Sequence, residues 1–321
     1  MNKRISLVVA FCMLGGMTAS AVAQVNLPCG SARLVVASNP GGNSDAIGRV
    51  VAEAVNRNSP AVPLQVVNIG GQATMRGSIE VADARPDGCT LLINHQSLIL
   101  SHLTAQGPVT YSNLVPVARL TQDYSIVNGA SGAPFDDAQS FLDYARAHPE
   151  EILTGASLGG TSHISLLLLS ELAGIELKYV SYNGLQERIT AMLGNHIQLS
   201  EADIGVSARY SASGDFKPLI ALSEDRIPQL PEIPTARELG YDVVFGLAHG
   251  IYLPAETPDE IRDYYANLFE VALSDPQLLA QFEANGTAIS FLAPDEYEAA
   301  LTVEFNAYKL LLENMGMLDM P

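Results

Sequence analysis

Leu34-Val35-Val36-Ala37-Ser38-Asn39-Pro40-Gly41-Gly42-Asn43-Ser44-Asp45 reads as an apolar strand running into a Pro-Gly-Gly turn and then a helix, with Asn43 or Ser44 expected as N-cap. A junction of this kind directs free backbone N–H groups and the positive helix end at one point, which suits a carboxylate or a phosphate. Beyond it, apolar strands alternate with helix-period segments almost throughout, the pattern of parallel sheets covered on both faces. Strands are predicted near 33–38, 64–69, 90–95, 115–121, 152–156, 177–181, 197–202, 217–222 and 243–253. Helices are predicted near 44–58, 72–84, 137–147, 162–173, 184–193, 258–273 and 294–314, the last opened by Pro294-Asp295-Glu296.

The segments near 115–127 and 243–253 bracket a self-contained α/β block, and no Pro/Gly/Ser linker divides the chain. One domain is therefore expected from 24–122 plus 247–321, around an inserted second domain at 123–246, with the two crossings forming a hinge. Ligands of open α/β sheets bind outside the carboxyl ends of the strands, so a cleft between two such lobes is the natural site.

Residues 1–23 carry Lys3 and Arg4, an apolar run from Ile5 to Met17 and the small-x-small signal Ala21-Val22-Ala23, which together read as a cleaved secretory leader. Cys12 follows Phe11, where a lipoprotein site wants a small residue, so release is expected rather than lipid anchoring. Without Lys3 and Arg4, 15 basic residues face 35 acidic ones, which makes nucleic acid and anionic membrane poor partners. Cys29 and Cys89 remain, each just before a predicted strand. If those strands are parallel neighbours, the two sulfurs meet at one sheet edge and bridge; otherwise they stay buried thiols.

Leu153-Thr154-Gly155-Ala156-Ser157-Leu158-Gly159-Gly160-Thr161-Ser162-His163 repeats the first junction, with Thr161 or Ser162 as the expected cap. Two helix N-termini, one per lobe, would then face each other and pinch a small anion. Neither loop is a nucleotide motif, since there is no G-x-G-x-x-G after the first strand and no Gly-Lys-Ser/Thr, and no cofactor is expected. The six histidines lack metal-ligand spacing, so no metal is expected; His95 and His163 are positioned to donate to a carboxylate. Gly160-Thr161-Ser162-His163 lacks a nucleophile elbow, and Ser162 and His163 point apart on a helix, which argues against hydrolysis. Glu201 and Asp203 read either as paired carboxylates or as caps of the following segment.

With these residues in view, the chain resembles the periplasmic solute-binding proteins of tripartite tricarboxylate transporters, the Bug-type receptors. The marks are Pro40-Gly41-Gly42 with Asp45, Arg85-Pro86-Asp87-Gly88-Cys89-Thr90-Leu91-Leu92, Val115-Pro116-Val117-Ala118, Gly160-Thr161-Ser162-His163, Val180-Ser181-Tyr182-Asn183-Gly184, Leu230-Pro231-Glu232-Ile233-Pro234-Thr235 and Pro254-Ala255-Glu256-Thr257-Pro258. The resemblance implies an α/β, two-lobed periplasmic-binding-protein fold (Venus-flytrap, type II-like) with two parallel-rich mixed sheets and two crossing strands. It also implies capture of a small carboxylate, a C4-dicarboxylate or tricarboxylate, for delivery to membrane permease subunits; a ligand-sensing role beside a sensor kinase is the alternative.

In that family the first-strand loop and the inserted glycine loop hold one ligand carboxylate through backbone N–H groups. Asn39, Pro40, Gly41, Gly42, Asn43 and Ser44, with Gly159, Gly160, Thr161 and Ser162, are the expected grip. His95, Gln96, Ser97, Tyr182 and Asp203 are the expected specificity residues. Departures bear on the ligand: Tyr182-Asn183-Gly184 stands where Tyr-Lys-Gly is common, Ala202 aligns with the family's inserted-domain aspartate, and a frequent Trp is replaced near Phe245. They leave room for an aromatic carboxylate or a ligand with a cationic group.

Overall fold

A computed structural model describes residues 25–319; the expected leader at 1–23 lies outside the described residues. The first lobe opens with β1 (Ala32–Val36), α1 (Asn43–Arg57), β2 (Leu64–Asn68), α2 (Met75–Ala82), β3 (Thr90–Asn94), α3 (Ser97–Leu103) and β4 (Leu114–Thr121). The chain then crosses into β5 (Asp123–Ala130), α4 (Ala138–Ala147), β6 (Leu153–Ala156), α5 (Thr161–Ala173), β7 (Lys178–Ser181), α6 (Leu185–Leu193), β8 (Leu199–Asp203), α7 (Ile204–Ala212) and β9 (Phe216–Leu222). It returns through β10 (Gly246–Leu247) and β11 (Gly250–Pro254), and ends with α8 (Asp259–Ala272), α9 (Pro276–Asn285), β12 (Ile289–Leu292) and α10 (Pro294–Asn314).

One sheet has the order β12-β4-β11-β3-β1-β2, with β1 parallel to both β2 and β3 and β11 antiparallel to β3 and β4. The other runs β10-β5-β8-β6-β7 with β9 also on β5; β6 is parallel to β7 and β8, and β5 is antiparallel to β8 and β9. Both sheets are therefore mixed, with a parallel core and antiparallel flank. The all-apolar centre of β3, Leu91-Leu92-Ile93, is buried on both faces as its sequence demands. Helix α1 lays Ile47, Val50, Val51, Ala54 and Val55 onto one face, the i, i+3, i+4 stripe of an amphipathic helix.

The crossings are two chain segments side by side. Only Gln122 separates β4 from β5, and Ala248-His249 separates β10 from β11. β10 pairs with the start of β5 while β11 pairs with β4, so the predicted single strand near 243–253 is split because its two halves belong to different sheets. A Cβ at Gly246 would lie 1.7 Å from the Asp123 carbonyl oxygen, which is why the strands can touch there only at glycine. Cys29 and Cys89 are disulfide-bonded at the edge shared by parallel β1 and β3. Closing that loop of 60 residues contributes roughly 4 kcal/mol in the chain-entropy account.

Three helices and an edge strand lie where no element is predicted: α3, α7, α9 and β12. The expected caps also shift. Gly42 and Gly160 occupy the N-cap positions of α1 and α5, and neither helix has a side-chain cap bond. The hydroxyls that would have capped are used elsewhere: Ser44 Oγ bonds His249 Nε2 at 2.9 Å, Thr161 Oγ1 accepts from Ser97 Oγ at 3.4 Å, and Ser162 Oγ accepts from Ser157 N at 3.0 Å.

Candidate functional site

The carboxyl ends of β1 and β3 from one lobe, and of β6 and β8 from the other, converge on a cavity of about 260 Å³. On the first side the chain turns at Gly41, whose φ of 87° is left-handed, and the turn is pinned by Asp45. One carboxylate oxygen of Asp45 accepts from Gly41 N at 2.9 Å, and the other accepts from Asn68 Nδ2 at 2.9 Å and pairs with Arg49 at 3.0 Å. Burial raises the Asp45 pKa, but these partners outweigh it and hold the carboxyl below its ordinary value. The turn being fixed, the N–H groups of Asn43 and Ser44 in the first turn of α1 have no helix carbonyl to donate to. Asn43 Nδ2 is buried beside them, and the side chain reaches the Asp123 carboxyl, whose charged form it favours.

The facing junction is used differently. Gly159 N donates to His163 Nδ1 at 3.2 Å, Gly160 N to Ser157 O at 2.9 Å, and Thr161 N crosses the cleft to Ser97 Oγ at 3.3 Å. Thr104 Oγ1 also donates across to Gly159 O at 3.3 Å, and Asn39 Nδ2 to Glu187 Oε1 at 3.1 Å. The lobes thus touch along both rims of the cavity.

The second wall holds a buried ion pair that the sequence did not reveal as such. Arg188, on α6, and Glu201, on β8, have side chains 6% and 4% exposed and meet at 3.3 Å. Arg188 Nε donates to Ser200 Oγ, Nη1 to Ser157 Oγ, and Nη2 to both the carbonyl and the carboxylate of Glu201; Ser125 Oγ donates to the remaining Glu201 oxygen at 2.6 Å. Arg188 is the one Arg or Lys lining the cavity, and each of its nitrogens already has a protein acceptor. A signal for it existed: Leu185, Arg188, Ile189 and Met192 form one i, i+3, i+4, i+7 stripe, so Arg188 sits on the buried face of its helix.

Asp203 caps α7, accepting from Val206 N at 2.8 Å through Oδ1, while Oδ2 is buried with no partner. Burial, with the nearby Glu201 charge, pushes its pKa up to about 6. Asp123, at the start of β5, is pushed up to about 7 by burial and by the charge of Asp203; the Ala288 N–H, donating to Oδ1 at 2.9 Å, and the Asn43 side chain oppose that rise. Burial, and then the Arg188 charge, depress His95 to about 4, and burial puts His249 well below its ordinary value. Both rings are therefore neutral near pH 7. His95 Nδ1 accepts from Ser97 N at 3.3 Å, so its proton sits on Nε2 and is available as a donor at the cavity wall.

Of the sequence-predicted residues, Asn39, Pro40, Gly42, Asn43 and Ser44 line the cavity from the first turn, His95 and Ser97 from β3 and α3, and Thr161, Ser162 and Asp203 from the second lobe. The others stand behind it. Gly41 holds Asp45, Gln96 Oε1 accepts from Ala248 N in the second crossing at 2.8 Å, and Gly159 and Gly160 donate within their own loop. His163 sits edge-on to Tyr179, and Tyr182 packs against the core cluster around Ile189 and Ile197. The cavity also takes in Asn183 and Gly184, where the sequence departs from the family's Tyr-Lys-Gly, and Ala73 and Thr74 from the lead into α2, Ser157 and the segment from Leu185 to Arg188, which had not been named as site residues.

Residues 47–317 match the family model described as the tripartite tricarboxylate transporter family receptor. The chain belongs to that family. Among relatives, the protein BugT of Bordetella pertussis is 23% identical over 322 residues, spanning 98% of each chain. Among solved structures, the periplasmic binding protein BugD superposes with a TM-score of 0.85 at 23% identity over 91% of this chain and 99% of its own. MatC from Rhodopseudomonas palustris with bound malate gives 0.80 at 22% identity, covering 88% and 99%. An adipate-bound R. palustris protein gives 0.81 at 21%, covering 91% and 99%. The family and these folds are those of binding proteins, not enzymes, and the receptor fold expected from the sequence is the one found. Among the described residues, no helix is long and apolar enough to cross a membrane.

Proposed function

We propose that this receptor is a periplasmic protein that closes on a small carboxylate and delivers it to the permease subunits of a tripartite tricarboxylate transporter. The closing bodies are 24–122 with 247–321 against 123–246, moving about the paired crossings β4–β5 and β10–β11. The observation that carries the reading is the first turn of α1: the amides of Asn43 and Ser44, with no helix carbonyl to donate to, belong to residues that line a cavity between lobes. A ligand touching both lobes binds the closed form better than the open one, which is what drives closure.

A cavity of about 260 Å³ sits at the lower edge of the usual range for ligand sites, and this favours a C4-dicarboxylate over a tricarboxylate. Malate and adipate in related receptors lend support to the ligand class. Grip by neutral donors suits a strongly acidic chain, because the Debye length of ~8 Å at physiological salt keeps distant surface charge from opposing local hydrogen bonds.

The test is a thermal-shift screen of mono-, di- and tricarboxylates against the mature protein. A bound acid at 100-fold excess over Kd adds ~2.7 kcal/mol of stability and a clear rise in Tm. If every acid leaves Tm unmoved, the proposal fails.

A further inference from the structure

We infer that the ligand carries a positively charged nitrogen beside its carboxylate, and that Asp203 is the residue that selects it. This rests on the carboxylate-binding reading above and narrows its ligand class. Asp203 is 8% exposed, lines the cavity and keeps one carboxylate oxygen buried without a partner. A desolvated carboxylate oxygen left without a hydrogen bond is costly, and no protein donor reaches this one. Glu201 is occupied by Ser125 and Arg188, and the Arg188 guanidinium is spent on Glu201, Ser157 and Ser200.

Charge points the same way. Around Asp203 stand two further carboxyl groups, Glu201 and Asp123, against two guanidinium groups: Arg188, whose nitrogens are already bonded within the protein, and Arg209 on α7, which does not line the cavity; the His95 and His249 rings are neutral. A second ligand carboxylate placed here would meet acidic oxygens. A hydroxyl would satisfy the hydrogen bond but not the charge, whereas an ammonium group does both. At the other wall the open groups are of the opposite kind, the first-turn amides of α1 at Asn43 and Ser44. The cavity therefore has a donor end in the first lobe and an acceptor end in the second, the arrangement that orients an amino carboxylate.

The experiment compares matched pairs of carboxylic acids of three to six carbons, each with and without an α-amino group and with malate as the hydroxyl member of the C4 set, by calorimetry on the full mature protein. In the best-binding pair the amino member is expected to bind at least tenfold more tightly than the plain acid. Asp203→Asn keeps the helix cap, since Asn caps as well as Asp, and should remove that preference; Asp203→Ser, also a good cap, provides a second variant with the same expected loss. A plain acid that binds as well as its amino partner, or a preference that survives both variants, overturns the inference while leaving carboxylate capture standing. Failure of every acid to bind overturns the carboxylate reading itself and this inference with it.

Discussion

The two strand–turn–helix junctions look alike in sequence but do different jobs. At β1/α1 an acidic side chain, Asp45, clamps the turn from behind, and the first-turn amides open onto the cavity. At β6/α5 the amides of Gly159, Gly160 and Thr161 are spent on His163, Ser157 and Ser97. The first is a grip and the second a latch, since one of its bonds crosses the cleft. A glycine turn before a helix thus does not by itself define an anion site; what decides is whether neighbouring acceptors have already taken the amides.

The sharpest way to separate grip from latch is to remove the frame of the second wall. Arg188→Met leaves Glu201 buried and unpaired, and is expected to cost about 3–5 kcal/mol of folding stability by urea denaturation. Arg188→Met combined with Glu201→Gln should recover a large part of that loss, because the burden is the stranded charge rather than missing contacts. Were the single variant as stable as the parent, Arg188 would not be the brace of that wall.

The order of strands and helices was legible because β3 and α1 carry undiluted patterns, an apolar run in one and a 3.6-residue stripe in the other. The α3 segment Ser97-Leu98-Ile99-Leu100-Ser101-His102-Leu103 was not, since it is buried nearly all round and shows no polar face. α9 announces itself through Asp275-Pro276, a cap followed by proline at the first position, a signal that was present and unused. Both helix caps were misplaced because Ser44 and Thr161 find partners 205 and 64 residues away, and no local rule anticipates them. The same holds for Glu201: its chemistry was visible, but its partner across α6 exists only once the lobe is folded. Asp203 had been left as either a cap or one of a carboxylate pair with Glu201; Oδ1 caps α7, while Glu201 pairs with Arg188 instead and Asp203 Oδ2 is buried without a partner.

Paired substitutions test the difference at the two turns themselves. Asn43→Ala removes a cavity-lining amide that also steadies the Asp123 carboxyl, so it should cost about 0.5–1 kcal/mol of folding stability while carboxylate affinity falls about tenfold or more. Ser97→Ala removes the acceptor of Thr161 N and should cost about 1 kcal/mol of stability with a smaller effect on affinity. Calorimetry and denaturation on both variants give four numbers. If Ser97→Ala proves the more damaging to binding, the roles of grip and latch are reversed.

The smallest net effect expected is the slope of the pH profile of the unliganded protein, where buried carboxyls and buried histidines oppose each other. Asp123 and Asp203 have folded pKa values raised to about 7 and about 6, so between pH 4 and those values the native state holds protons that the unfolded chain releases. Their contribution therefore falls as pH rises through that window. His95 and His163, depressed to about 4, and His249, depressed well below its ordinary value, are neutral in the native state where the unfolded chain is protonated, so their contribution grows from pH 4 to about 6.5. The two slopes cancel in large part below pH 6.5, and above it only Asp123 still descends. Asp123→Asn, which keeps the acceptor for Ala288 N, should unmask the rising histidine slope, changing the gradient by up to about 1.4 kcal/mol per pH unit. Denaturation midpoints from pH 4.5 to 7.5 that run parallel in variant and parent would mean that Asp123 ionises alike in both states, and that the crossing strand does not carry a desolvated carboxyl.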